Sequence, residues 1–255
     1  MKIAVILPIY NPNHKWLDEA IASVLNQKTQ HELTLFIRFD GPNNGYVIPN
    51  DSRIVVIEDK YRRGLSGGVN FMFNYIIATS WSNRYHYFAR IDADDIWHED
   101  KIEKQVDFAY KNKVGVCGVW AILVDKNENR CETWPQANHE FGIDEMYRTN
   151  QVNNYFIDPS VIINARLVYD GLVHYNNAML GGAAFELWHR LAVMKVKMAS
   201  LPERLYYYRW YGEGQNSFAP QCIKTMAACR SLICDMYKNL GASLEYYVPT
   251  EDYFD

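Results

Sequence analysis

In the first half of the chain, short apolar runs alternate with amphipathic stretches, and this alternation restricts the fold more than any single motif. Residues 3 to 7 (IAVIL), 33 to 40 (LTLFIRFD), 53 to 58 (RIVVIE), 85 to 91 and 114 to 125 (VGVCGVWAILVD) read as strands. Unbroken apolar runs of this kind suit strands buried on both faces of a mostly parallel sheet. Between them the apolar spacing turns helical: Leu17, Ile21, Val24 and Leu25, then Val69, Phe73, Ile76 and Ile77, then Ile102, Val106, Ala109 and Tyr110. The acidic start of the third stretch agrees with the positive end of a helix dipole. Strand–helix alternation specifies an α/β, doubly wound sheet with right-handed crossovers. Ligands bind such sheets at the carboxyl ends of the strands.

The second half is less regular. A strand at 161 to 163, a helix near 182 to 195, short strands between 196 and 210 and a closing helix at about 221 to 240 are expected, and the tail reads as loose surface. A length of 255 residues fits one large domain or a core with a smaller lobe. A net charge of −4 without a basic block argues against nucleic acid as partner. Cysteines 117, 131, 222, 229 and 234 are odd in number and lack CxxC spacing, which argues against zinc and for a reducing compartment. The N-terminal apolar run is too short for a signal peptide, and no run of about 18 apolar residues exists to span a membrane. A cytoplasmic protein is expected. The nineteen tyrosines and seven tryptophans suit a sugar- or nucleotide-binding surface and equally suit a core.

The most chemically pointed stretch is RIDADDIW, residues 90 to 97, which sets Asp92, Asp94 and Asp95 behind a buried strand. Clustered carboxylates raise one another's pKa, and a divalent cation removes that penalty. Mg²⁺ and Mn²⁺ take oxygen ligands, often one or two carboxylates plus phosphate oxygens. The alternative is a solvated acidic turn with Asp95 or His98 capping the next helix. Three other turns gather at the same edge. Pro8-Ile9-Tyr10-Asn11 ends the first strand, and Asp40-Gly41-Pro42 ends the second, where a carboxylate can accept from a base N–H. Arg62-Arg63-Gly64-Leu65-Ser66-Gly67-Gly68 approaches a helix N-terminus, a natural anion site, or else is a flexible loop with two solvated arginines.

Taken in order, PIYN (8–11), SVLNQ (23–27), FDGP (39–42), RRGLSGGVN (62–70) and DADDIWHEDKIEKQ (92–105) resemble the family-2 glycosyltransferases, which have the GT-A fold. DPSVIINARLV (158–168) and PERLYYYRWYGEGQNS (202–217) resemble that family's middle and closing segments. The resemblance implies a GT-A domain over 1–217, with a nucleotide-binding half (1–125), an α+β acceptor half (126–217) and a C-terminal helical extension (218–255). It implies inverting transfer from a nucleotide diphosphate sugar, most often UDP-linked, to a glycan or lipid-linked acceptor. Pro8, Tyr10, Asn11 and Asp40 would hold the base, and Asp92 the ribose or the metal. Ala93 and Gly64 would line the donor, and Asp94 would ligate Mn²⁺ or Mg²⁺. Arg63 and Arg209 would reach phosphate. The C-terminal helix covers the core, pairs two copies or lies on the cytoplasmic face of a membrane; Met226, Cys229, Leu232, Ile233 and Met236 favour packing.

The resemblance breaks at one place. Inverting transfer needs a base for the acceptor hydroxyl, and in the family a Glu-Asp pair precedes the helix that here reads GGAAFELWHRLA, 181 to 192. That pair falls on Ala183 and Ala184. Glu186 is the nearest carboxylate, on the face of Ala183 by helical spacing, and also reads as an ordinary solvated helix residue. A natural departure, a deliberate inactivation and a natural binder without catalysis all fit. Tyr211 stands where the family often has His. Trp134, Trp188 and Trp210 are candidates for acceptor selection or for the core. A nucleotidyltransferase would need a glycine-rich loop after the first strand, which PIYNPNHKW does not supply.

Overall fold

The computed structural model describes residues 1–125, 127, 129–134, 156–179 and 182–209, with scattered positions between 224 and 231. In chain order the elements are β1 (Lys2–Ile9), α1 (His14–Leu25), β2 (Glu32–Phe39), β3 (Ile54–Val56), α2 (Gly64–Thr79), β4 (Tyr87–Arg90), β5 (Ile96–Trp97) and α3 (Lys101–Lys111). There follow β6 (Val116–Val124), β7 (Arg130–Trp134), a 3₁₀ turn (Asp158–Ser160), β8 (Ile162–Asn164), α4 (Ala165–Tyr169), α5 (Ala183–Val193) and β9 (Met198–Arg209). Tyr211, Trp210 and most of the extension at 218–255 lie outside the described residues.

One mixed sheet runs β3-β2-β1-β4-β8-β6-β9-β5, with β7 beside β6. β1 to β4 are mutually parallel where they pair. β8 is antiparallel to both β4 and β6, so β6 points the same way as β4, and β9 runs parallel to β6. The carboxyl ends of β1, β2, β4, β6 and β9 therefore share one edge. The strand expected at 114–125 does not pair with β4, because three-residue β8 stands between them. The short strands expected at 196–210 are one long strand, β9. β5 was not foreseen: two residues inside a polar turn carry no legible period.

Alternation along β1 divides the core. Ile3, Val5, Leu7 and Ile9 pack with Leu17, Ile21 and Val24 of α1 and Ile102 and Val106 of α3. Ala4 and Ile6 face the other way, toward Val69, Met72 and Ile76 of α2 and Leu187, Trp188 and Leu191 of α5. Full burial of such side chains is worth about 1.5–3 kcal/mol each, so both sheet faces are covered. Trp188 is a core residue at 0% exposure, set edge-to-face against Phe156, and is removed from acceptor selection. The side chain of Trp134 lies outside the described ones. Among the described residues, no helix is long and apolar enough to cross a membrane.

Two glutamines fix the acidic turn's surroundings. Gln27, just past α1, accepts from the Ile102 amide at 2.9 Å and donates to the His98 carbonyl at 2.7 Å, serving as a remote cap for α3. Gln105 donates to the carbonyls of Cys117 and Ser160 and accepts from wholly buried Lys101 at 2.7 Å.

Candidate active site

The carboxyl edge brings the donor-side residues expected from sequence together. Ile9 is level with Phe39 and Ile6 with Arg90, so the turns after β1, β2 and β4 lie side by side. Tyr10 is 59% exposed, and the Arg62 guanidinium lies 4.5 Å from its ring centroid. Asn11 takes φ +45°, a left-handed conformation Asn tolerates, and accepts from the Asn44 side chain at 3.1 Å. Pro8 is the last-but-one residue of β1, opposite Arg38.

At the end of β2 the structure gives Asp40 a structural task. Its carboxylate accepts from the Arg63 amide at 2.7 Å, the Gly64 amide at 2.8 Å and Arg38 Nη2 at 2.9 Å. Burial alone would raise this carboxyl, but those three donors outweigh it and hold it below the usual range. The anion site at the start of α2 is thus filled from within, by Asp40. Gly64 supplies the φ of +67° that this entry needs. Arg63 is exposed yet engaged: its guanidinium pairs with Asp59 and lies 4.2 Å from the Phe71 ring centroid. Arg38, 0% exposed, also donates to Asp59 and to the Tyr61 carbonyl. A Cβ on Gly68 would sit 2.6 Å from Arg38 Nη1, so this glycine makes room for a buried guanidinium.

The turn after β4 is different. Asp95 neither caps a helix nor faces solvent. It is 1% exposed and accepts from the Tyr206 hydroxyl at 2.7 Å and the Arg209 amide at 2.8 Å, stitching the turn to β9. Burial, then the charges of Asp94 and Asp92, pushes its carboxyl well up. Asp94 is partly buried, and no donor from another residue reaches its carboxylate among the described residues. Burial first, and the Asp92 charge second, raises it to about 6. Asp92 keeps 31% of its side chain exposed and accepts from Arg90 Nη2 at 2.9 Å. Ala93 between them packs on the core. Arg209, 5% exposed, donates to the Asp94 carbonyl at 2.6 Å and pairs with Glu19.

In the second half of the chain, Gly182 enters α5 at φ +71°, and Ala183 and Ala184 form its first turn, packed on the second core face. Glu186 is not a solvated helix residue. Its carboxylate accepts from Arg190 Nε at 2.8 Å, and Arg190 also donates to the carbonyls of Leu172 and His174. Service as a proton acceptor would require Glu186 to give up that pair.

Sequence reading passed over Arg38, Asp59, Arg90, Asp158, Tyr175 and Tyr206. Arg90, 1% exposed, donates to Asp92, to Asp158 and to the Tyr175 hydroxyl.

A curled α/β sheet with an acidic turn at its carboxyl edge defines the class: the chain belongs to glycosyl transferase family 2, whose model matches residues 4–168. Among its relatives is the uncharacterized glycosyltransferase MJ1057 of Methanocaldococcus jannaschii, 24% identical over 81% of this chain and 70% of that protein. WfgD of Escherichia coli, a UDP-Glc:alpha-D-GlcNAc-diphosphoundecaprenol beta-1,3-glucosyltransferase, is 30% identical over 44% of this chain and 42% of that protein. The crystal structure of S. aureus TarS superimposes at a TM-score of 0.67 with 15% identity, over 96% of this chain and 41% of that one. TarS 1-349 in complex with UDP-GlcNAc gives a TM-score of 0.64 at 13% identity, over 94% of this chain and 72% of that one. At these identities the structural likeness speaks for the fold.

Proposed function

We propose that the chain binds a UDP-linked sugar at the carboxyl edge of its sheet and serves transfer of that sugar to a glycan or lipid-linked acceptor, in the building of a polysaccharide on the cytoplasmic side. The observation that carries this is Asp94, a partly buried carboxylate without a donor from another residue, beside half-open Asp92. Desolvation and the Asp92 charge outweigh what the Arg209 charge and its own backbone amide give Asp94, and a hard divalent cation is the partner this donor set fits. Asp94 and Asp92 would hold Mn²⁺ or Mg²⁺, which supplies Lewis-acid stabilisation of the departing diphosphate. Tyr10 offers an exposed ring for the base, and Asn11 a polar side chain beside it. Asp40 and the Gly64 amide, already bonded to each other, hold the neighbouring turn in place. Arg63 and Arg209 contribute positive charge near the phosphates while remaining paired to Asp59 and Glu19. The fold relatives solved with UDP and UDP-GlcNAc support a uridine donor.

A second reading has a specific observation behind it: a nucleotide-sugar binder without transfer. Ala183 and Ala184 occupy the turn where the family places its acidic pair, and Glu186 is engaged by Arg190. Two experiments separate the readings. Titration calorimetry with UDP is expected to show binding that depends on Mn²⁺; equal heats with and without metal would sink the donor site. Ala183→Glu combined with Ala184→Asp is expected to raise turnover by at least 100-fold with donor affinity within about threefold. Unchanged turnover in the double variant would remove Ala184 as the base position.

A further inference from the structure

We propose that Arg90, Asp158 and Tyr175 form a positioning cluster that aims the Asp92 carboxylate at the donor, an inference that rests on the donor-site reading above. Arg90 closes β4 two residues before Asp92 and is 1% exposed, so its charge has to be met inside the protein. Two carboxylates meet it. Asp158, whose side chain is 13% exposed, pairs with Nη1 from the 3₁₀ turn, and Asp92, 31% exposed, pairs with Nη2 at 2.9 Å.

The division of labour follows from depth and from the remaining bonds. Asp158 is held a second time, accepting from the Tyr175 hydroxyl at 2.8 Å, and that hydroxyl accepts from Arg90 Nη1 at 3.1 Å. The Arg90 guanidinium also lies 5.5 Å from the Tyr175 ring centroid. Backbone bonds brace the same corner, since the Arg90 amide donates to the Val161 carbonyl at 3.2 Å and β4 pairs with β8. Asp158 is thus the standing counter-ion. With it in place, Asp92 can turn one oxygen outward without leaving a buried guanidinium uncompensated. Without it, the fork would hold Asp92 as its one remaining carboxylate and draw it away from the ligand. Lysine cannot substitute, because a single ammonium lacks the planar fork that reaches all three partners.

Tyr175 also joins this cluster to the glycine-rich helix. Its amide donates to the Asn70 side chain at 2.8 Å, and Asn70 Nδ2 donates back to the Tyr175 carbonyl at 2.8 Å. The segment that leads into α5 is therefore fastened to the donor half at the residue whose hydroxyl supports Asp158.

The test is calorimetry with UDP, with and without Mn²⁺, on the full chain. In Asp158→Asn the affinity for UDP in Mn²⁺ is expected to fall at least tenfold, while the metal-free affinity stays within twofold. Tyr175→Phe keeps the ring and removes only the hydroxyl, so it serves if Asp158→Asn fails to fold; a loss of about threefold, again confined to Mn²⁺, is expected. A merely structural role would weaken both conditions equally or leave both unchanged, and either result overturns the positioning cluster. If the parent chain itself shows no Mn²⁺-dependent UDP binding, the donor-site reading fails, and the inference built on it falls too.

Discussion

Two neighbouring strands end in the same pattern. β2 closes with Arg38-Phe39-Asp40 and β4 with Arg90-Ile91-Asp92, and in each a buried arginine donates to the aspartate two residues on at 2.9 Å. Each arginine also has a second carboxylate, Asp59 for Arg38 and Asp158 for Arg90. The outcomes diverge because of what lies beyond. At β2 the start of α2 delivers two amides to Asp40, and the side chain ends 8% exposed. At β4 the chain turns back toward β9 instead, no helix start among the described residues reaches Asp92, and its side chain stays 31% exposed beside Asp94. One spelling thus gives a sealed structural joint and an open one. The difference lies in the polar groups the following segment brings, not in the strand.

The largest effect that sharpens this contrast is at the open joint. Asp94→Ala is expected to abolish Mn²⁺-dependent UDP binding, a loss of at least 100-fold by calorimetry, with no loss of stability in the metal-free protein. Retained binding would place the metal elsewhere, and the open carboxylates would need another explanation. At the sealed joint the expectation reverses. Asp40→Ala leaves the Arg63 and Gly64 amides without their acceptor and Arg38 with a single carboxylate, which should cost about 2–4 kcal/mol in denaturant unfolding. A neutral result would mean that water or a neighbouring group replaces Asp40 readily.

Acid titration separates the two joints by sign. The Asp40 carboxyl is held low, so its stabilisation is present above the ordinary carboxylate range and is lost as pH falls from that range through the lowered folded-state value. The Asp94 carboxyl is raised to about 6, so the metal-free protein is favoured while Asp94 is protonated and loses that advantage as pH rises from about 4 to 6. Asp94→Asn should therefore gain on the parent across that interval, by about 2 kcal/mol at roughly 1.4 kcal/mol per tenfold change in proton affinity. Asp40→Asn should show its deficit at pH 6 and lose it only as pH falls below the ordinary carboxylate range. Parallel curves for the two variants would erase the distinction drawn between the joints.

Much of this was legible beforehand because it repeats. The apolar runs of β1, β2 and β6 and the helical spacing of α1 and α3 are periodic signals, and the order of turns along one edge follows from strand–helix alternation. What escaped lacks a local period. β5 is two residues, too short for any pattern; the strand expected at 161–163 is β8, but its three residues carry no sign of direction, so its antiparallel insertion between β4 and β6 stayed hidden. Asp95 looks like its neighbours in the sequence, and its burial against Tyr206 depends on a partner 111 residues away. The glycine-rich turn showed its helix start but not its occupant, because Asp40 reaches it from a different strand. The repeated Arg-x-Asp pattern was the one available signal for the buried arginines. An arginine in an otherwise apolar strand needs a counter-ion, and an aspartate two residues later stands on the same side of the strand.

The smallest expected effect probes how tightly the sealed joint is packed. Gly68 lies in the second turn of α2, where its missing side chain admits the Arg38 guanidinium, and a Cβ would come within 2.6 Å of Nη1. Alanine favours a helix interior over glycine by up to about 1 kcal/mol, so a loose site would be stabilised by Gly68→Ala. Arg38 has little freedom to withdraw, because Asp40, Asp59 and the Tyr61 carbonyl fix its other nitrogens. The steric displacement should outweigh the propensity gain and leave a net loss of about 1 kcal/mol in thermal or denaturant unfolding. UDP binding in Mn²⁺ should be nearly unchanged, because the open joint at β4 makes no use of this packing. A net gain in stability would show that the guanidinium can shift without losing its partners, and that β2 ends in a softer joint than its bonds imply.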